Sequence, residues 1–328
     1  MWSYVARRLL TGVLILFIAS FLMFILVALS GNPLATLEAN PHTSQATIAA
    51  MRVTLHLNEP LMQRYWTWLT DLFAHGTFGQ STTGQDVARQ LIDRWGVTIK
   101  LVVPAVILSM IIAVVSGVLS AVKQYSILDN ISTGFAYLFY ATPVFVLALL
   151  LKDFLAIRFN NAIGHTVLYT QGEVTPGTTG AMATLTSMTE HAILPVVTLT
   201  LVTYAGWSRY QRASMLDVLN ADYVRLARAK GLMPRRVLYV HALRNALIPV
   251  VTVVALDFAT LLGGVIITET VFGWEGMGVY LYEGLTGQVS PDVNVVQAWL
   301  MVAAVAVIVF NIIADLLYAA LDPRIRYA

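Results

Sequence analysis

Residues 9–29 read LLTGVLILFIASFLMFILVAL, a run without one charged side chain. A helix needs about 20 apolar residues to cross the roughly 30 Å hydrocarbon layer of a bilayer, so this stretch is long enough by itself. Five further apolar runs follow, at about Ile99–Val122, Ser132–Leu151, Ala192–Trp207, Leu247–Thr268 and Ala298–Ala320. The predicted fold is an all-α polytopic membrane protein with six transmembrane helices, the fourth run being the weakest. Pro104, Pro143, Pro195 and Pro249 fall in or at the ends of these runs. Packed neighbouring helices tolerate the lost backbone bond there better than lipid does.

Composition agrees with that class. The 328 residues are 58% hydrophobic and 12% charged, with a mean hydropathy of +0.72, whereas a soluble domain carries about a quarter charged residues. The first run is expected to be a retained helix. Arg7 and Arg8 precede it and Ala28-Leu29-Ser30 resembles a cleavage site, but the apolar part of a secretory leader is only about 7–15 residues. With both termini cytoplasmic, Arg7, Arg8, Lys123, the basic residues of 209–244, Arg324 and Arg326 all lie inside, the bias that orients membrane proteins. The chain then divides into an N-terminal transmembrane helix, 1–30, an external folded segment, 31–96, and a five-helix core, 97–328. The core carries an external loop, 158–190, and a cytoplasmic loop, 213–246.

Within the external segment, Leu61, Tyr65, Trp68, Leu69 and Leu72 recur at helical spacing, with Pro60 at the start and His75-Gly76 at the end. A second short helix is expected over Gln85–Arg94. The Gly- and Thr-rich loop 158–190, with its Pro176-Gly177 turn, reads as a hairpin. Trp66, Trp68, Trp95 and Trp274 suit an interfacial belt or loop core, and Lys152 and Asp153 suit the interface at the end of the third run.

The cytoplasmic loop contains NADYVRLARAKG at residues 220–231. Asn220 is suited to cap a helix N-terminus, Asp222 and Lys230 match the two ends of its dipole, and Gly231 suits a left-handed C-terminal stop. Pro234 opens a second helical stretch through Asn245. A basic connector held against anionic lipid is the alternative on these residues alone, although a capped helix closed by glycine has more shape than an anchor requires.

Several chemistries lack their residues. The chain has no cysteine, its six histidines (42, 56, 75, 165, 191 and 241) form no HExxH, and no GxxxxGK[ST] is present to hold ATP phosphates. An intramembrane hydrolase is disfavoured because no histidine lies mid-span and no Gly-x-Ser-x-Gly occurs. A secondary transporter or channel is disfavoured by the lack of a clear repeat and by a lone mid-span acid, Asp257. A carboxylate at that depth is costly and faces a pathway or a partner. Glu269, at the outer end of the same run, suits an external gate or an anchor equally.

Read together, the motifs resemble the inner-membrane permeases of ATP-binding-cassette importers, in the branch that carries dipeptides, oligopeptides and nickel. The resemblance runs from Tyr4-x-x-Arg7-Arg8-Leu9-Leu10, Gly31-Asn32-Pro33 and Leu57-Asn58-Glu59-Pro60-Leu61 through Ala227-Arg228-Ala229-Lys230-Gly231 and His241-Ala242-Leu243-Arg244-Asn245-Ala246-Leu247-Ile248-Pro249. It continues in Glu269-Thr270-Val271-Phe272, Gly276-Met277-Gly278 and Asp315-Leu316-Leu317-Tyr318-Ala319-Ala320-Leu321-Asp322-Pro323-Arg324. Against the wider importer pattern the chain keeps Ala227, Gly231 and Leu243. It has Arg225 in place of a glutamate, and His241 and Arg244 in place of an isoleucine and a proline.

The resemblance implies that residues 221–232 form a coupling helix seated on a separate ATPase, with Tyr223, Val224, Leu226 and Ala227 as an apolar knob. Arg225, Arg228 and Lys230 then pair with acids around it, and Gly231 and Leu232 close it. It implies a second similar permease, two ATPase subunits or domains holding ATP and Mg, an extracytoplasmic substrate-binding protein, and a multi-pass location in the bacterial inner membrane. No cofactor on this chain and no nucleic-acid partner is expected. Asp257 and Glu269 are the candidate pathway residues.

Overall fold

The computed structural model describes residues 2–29, 31–286 and 291–321. Ser30, Asp322, Pro323, Arg324 and Arg326, named above, lie outside them. The described helices are α1 (Trp2–Leu29), α2 (Ala35–Ala39), α3 (Gln45–Thr54), α4 (Leu61–His75), α5 (Val87–Val122), α6 (Ile127–Ala141) and α7 (Val144–Ile163), followed by α8 (Ala181–Leu219), α9 (Asp222–Ala229), α10 (Arg244–Phe272), α11 (Met277–Thr286) and α12 (Val293–Leu321). Among the described residues the extended pairing is limited to one bridge, Gln80 to Asp86.

Five helical segments are long and apolar enough to cross a membrane, and six if α6 and α7 count as one broken span. Those two meet at 109°, where a straight third span is expected from sequence. The break has a local cause: Pro143 has no N–H to donate, and it forces Thr142 into an extended conformation (φ −87°, ψ 121°) that a helix cannot use. Pro104, Pro195 and Pro249 sit inside continuous helices.

Two more expectations change. The short helix at Gln85–Arg94 is not separate, because from Val87 the chain runs unbroken into α5. The 158–190 loop forms no hairpin: apart from local turns such as Thr178 N–H to the Thr175 carbonyl, its amides bond to side chains and a helix end instead of pairing across the loop. Val167 and Leu168 donate to Asn160 Oδ1, Thr175 donates to Ser187 Oγ, and Gly172 donates to the Phe272 carbonyl.

The chain folds as two compact units. One comprises Ile99–Trp274 and the chain from Val309 onward. In it α10 packs chiefly on α8, and α8 on α6, around Ala113, Tyr204, Trp207, Val250 and Val254. Gly117 lets α5 and α8 come together, since a Cβ there would meet the Ser208 carbonyl at 2.9 Å and Gln211 Cβ at 2.8 Å.

The other unit comprises Trp2–Thr98 and Glu275–Ile308. One of its cores joins Val87 and Leu91 to Met277, Tyr280, Val295 and Ala298, and a second joins Phe24 to Tyr65, Trp68 and Leu69. Asp292 ties this unit together. One carboxylate oxygen caps α12 by accepting the Val295 amide, and the other accepts bonds from the Ser81 hydroxyl and from the amide and hydroxyl of Thr82.

Candidate functional site

The residues of 220–232 build a short helix with a hard stop. Asn220 does not cap it as its position suggests. Its amide donates to the Leu216 carbonyl at 3.0 Å, closing α8, and Ala221 occupies the cap position of α9 without a side-chain bond. At the other end Gly231 takes φ +74°, its N–H donates to the Arg228 carbonyl at 3.0 Å, and Leu232 N–H reaches back to Ala227 at 3.4 Å. That pair of bonds is the Schellman arrangement, which only a residue tolerant of left-handed backbone closes cheaply.

The expected four-residue apolar knob divides between two faces. Val224 and Ala227 are buried against Val118, Ala121, Met215, Val237, Ala242 and Ala246 of the chain itself. Tyr223 and Leu226 are 45% and 56% exposed, and Arg225, Arg228, Lys230 and Gly231 are exposed beside them. Leu232 packs back onto the buried cluster. Arg225 lies 3.7 Å from Asp222, an exposed pair of small energetic weight. The chain then continues through Pro234–Arg236 and a π-helical stretch, Val237–Leu243, into α10.

Asp257 lies half-buried in α10, and one carboxylate oxygen accepts the Trp207 indole N–H at 2.9 Å. Trp207 is itself buried, so the bond fixes the carboxylate against α8. Glu269 is fully buried, near the end where Gly273 and Trp274 donate to its carbonyl. The two acids are twelve residues apart on one helix, about 18 Å at the helical rise, so they do not form one site.

A third group escaped the sequence reading as a group. Arg212 grips Asp129 through Nε and Nη2 at 2.7 and 2.8 Å, tying α8 to α6 beside the cluster that holds α9. Asp129 is 2% exposed and also accepts the Tyr125 amide at 2.9 Å. One turn earlier, Arg209 stacks on the rings of Tyr137 and Tyr140 at 4.9 and 4.6 Å. Both arginines border a cavity of about 330 Å³ that Ser120, Ser132, Thr133 and Ser208 also line. The available signal was the i, i+3 spacing of Arg209 and Arg212; their partners lie far away in sequence.

Comparison with known proteins gives this architecture a family. Residues 109–327 match the family described as binding-protein-dependent transport system inner membrane component, and residues 1–102 match its N-terminal companion. The oligopeptide transport system permease protein OppB of Mycobacterium bovis is 41% identical, covering 99% of each chain. The dipeptide transport system permease protein DppB of Alkalihalophilus pseudofirmus is 36% identical over the full length of both, and that of Escherichia coli is 34% identical over 90% of both. In fold, the chain is similar to an inward-facing methionine ABC transporter, with a TM-score of 0.54 at 17% identity, covering 71% of this chain and 96% of that one. Together, helices long enough to span and matches over nearly the whole length mean that this chain belongs to the binding-protein-dependent transport system inner membrane components, as a multi-pass permease subunit.

Proposed function

We propose that the chain forms half of the translocation pore of a bacterial inner-membrane importer for oligopeptides or dipeptides, working by alternating access. A second homologous permease subunit supplies the other half. Two ATP-binding-cassette subunits or domains, holding ATP and Mg, drive the pair from the cytoplasm, and an extracytoplasmic substrate-binding protein delivers the cargo. Peptide is favoured over nickel by the names that the relatives carry.

The observation that carries this reading is the division of α9 into a buried and an exposed face. Tyr223 and Leu226 enter a groove on the ATPase, and Arg225, Arg228 and Lys230 meet acids at its rim. Val224, Ala227 and Leu232 are seated among residues of α5, α8 and the stretch leading to α10, so a push on the outer face moves those elements together. Tight packing passes displacement on, because a close-packed interior yields little. Asp257 is assigned to the pathway, held in place by Trp207. Buried Glu269 is assigned to the wall at the far end of α10 and not to a pathway surface.

The test uses the complete complex in vesicles. Leu226→Asp is expected to lower ATP-driven peptide uptake at least about tenfold, equivalent to roughly 1.4 kcal/mol of lost coupling or docking, and to weaken retention of the ATPase. Asp257→Asn is expected to change uptake kinetics while ATPase retention holds. Wild-type uptake and retention in Leu226→Asp would sink the coupling assignment.

A further inference from the structure

The Leu61–His75 helix carries an exposed apolar line whose depth can be read from α1. At 100° per residue, Met62, Trp66, Leu69 and Phe73 fall within one narrow stripe, while Arg64, Asp71 and His75 fall on the opposite side. Between the two, on one flank, Tyr65, Trp68 and Leu72 pack against the rest of their unit. Leu69 is buried with them, but Met62, Trp66 and Phe73 are 54%, 52% and 79% exposed. The other flank, Gln63, Thr70 and Ala74, is exposed and carries no charge.

α1 supplies the ruler. The Tyr65 hydroxyl lies 3.0 Å from Ser20 Oγ, and its ring stands edge-on to Phe21 and Phe24 at 5.2 and 5.4 Å. Ser20 is nine residues before Leu29, about 13 Å along the helix at 1.5 Å per residue. The apolar run ends at Leu29 and half the hydrocarbon layer is about 15 Å, so the hydroxyl reaches close to the middle of the bilayer. Trp66 sits beside Phe17, 6.4 Å between ring centres, deeper still along α1. A helix lying on top of the headgroups does not reach those residues. The opposite stripe suits a shallower level: His75 lies 3.3 Å from Asp71, and Arg64, stacked over Phe24 at 5.8 Å, has the length to carry its charge upward.

We propose that α4 is an in-plane helix sunk into the leaflet at the Leu29 end of α1, with Met62, Trp66 and Phe73 against acyl chains and Asp71 and His75 at the headgroup level. The occupant of the exposed stripe is lipid. Interfacial helices ordinarily bury their apolar face about 5–10 Å below the headgroup boundary; the side chains of Tyr65 and Trp66, packed on Ser20 and Phe17, reach deeper than that. The segment after the first span is then part of the membrane-facing body, whichever side of the cell it lies on. This holds whatever cargo the complex carries.

Because the chain contains no cysteine, single spin labels can be placed cleanly. Met62→Cys, Trp66→Cys, Phe73→Cys and His75→Cys are prepared in the full transport complex, with partner cysteines removed, in vesicles of phosphatidylethanolamine and phosphatidylglycerol. Each label is relaxed by oxygen, which concentrates in the bilayer, and by a nickel chelate, which stays in water. The oxygen-to-nickel ratio is expected to be several-fold higher at 62, 66 and 73 than at 75. If the nickel chelate dominates at 66 and 73, the stripe faces water and the proposal is overturned. If neither agent reaches them, another protein covers the stripe and the proposal is equally overturned. Should Trp66→Cys fail to assemble, the far more exposed Phe73 and Met62 decide the matter. None of these readings depends on transport, so a failed coupling assignment leaves them intact.

Discussion

α4 and α9 are built on one plan and finish differently. Each is short, seats one face on its own unit, and ends at a left-handed glycine, Gly76 at φ +66° and Gly231 at φ +74°. At neither glycine would an added Cβ meet another atom within 4 Å, so backbone conformation and not space selects the residue. The exposed face of α9 mixes Tyr223 and Leu226 with Arg225, Arg228 and Lys230, whereas the exposed stripe of α4 is Met62, Trp66 and Phe73, with its charges turned to the far side. The difference teaches that the seat and the stop make a helix, and the chemistry of the remaining face chooses what it meets. Basic and apolar groups together suit a protein groove with acids at its rim; an uncharged aromatic stripe suits hydrocarbon.

The largest effect expected from this contrast lies in the anchors. Helix α8, which carries Met215 of the cluster beneath α9, is clamped to α6 by the Arg212–Asp129 pair, with Asp129 almost fully buried. Removing one partner of such a pair leaves a charge stranded, at a cost of about 3–5 kcal/mol. α4 is held by aromatic packing and the Tyr65–Ser20 bond, and a hydroxyl bond at membrane depth contributes about 1 kcal/mol or less. Thermal unfolding in detergent is therefore expected to show Arg212→Ala strongly destabilised and Tyr65→Phe barely shifted. Equal shifts would mean that the ion pair is not the clamp.

Next in size is a paired substitution at the two stops. Valine at a left-handed position costs on the order of 1–2 kcal/mol, so Gly76→Val and Gly231→Val are expected to lower stability alike. Only Gly231→Val should also abolish ATP-driven uptake, because the proposed coupling runs through α9 and not through α4. Loss of uptake in both would show that α4 takes part in coupling and would erase the functional half of the comparison.

How much of this was legible in sequence follows from the range of each interaction. The stop at Gly231 depends on neighbours within five residues and could be read directly. Which of Tyr223, Val224, Leu226 and Ala227 face inward depends on Val118, Met215 and Ala246, which no local pattern announces. Asp257 stood out as a mid-span acid, but its partner Trp207 lies fifty residues away. The fourth run looked weak because Thr198 and Thr200 interrupt it and Ser208, Gln211 and Ser214 follow its end, yet all are buried within a helix of 39 residues. A hydropathy average treats them as loop residues, although Thr198 bonds back to Leu194 and Ser214 to the Ala246 carbonyl. Pro143 was visible, but the 109° turn it permits is set by what α6 and α7 pack against.

The smallest effect concerns the link that precedes α4. Arg52 of α3 reaches back to Glu38 of α2 at 2.6 Å, and Asn32 donates to the same carboxylate at 2.9 Å. The bond from Arg52 is the main reason that the Glu38 carboxyl ionises below its ordinary range; partial burial opposes it and Asn32 assists. A carboxylate whose folded pKa is depressed contributes stability that is present at neutral pH and lost as pH falls through that lowered value. The pair is exposed, so the contribution is small and screened by salt. Acidification is therefore expected to lower the amide protection factors across α2 and α3, corrected for the intrinsic exchange rate at each pH, while the oxygen-to-nickel ratio of a label at Phe73 stays unchanged, because the Tyr65–Ser20 bond and the aromatic packing that set its depth involve no carboxylate. If acid moves that label toward water, the seat of α4 rests on its surface ion pairs and not on the hydrocarbon around it.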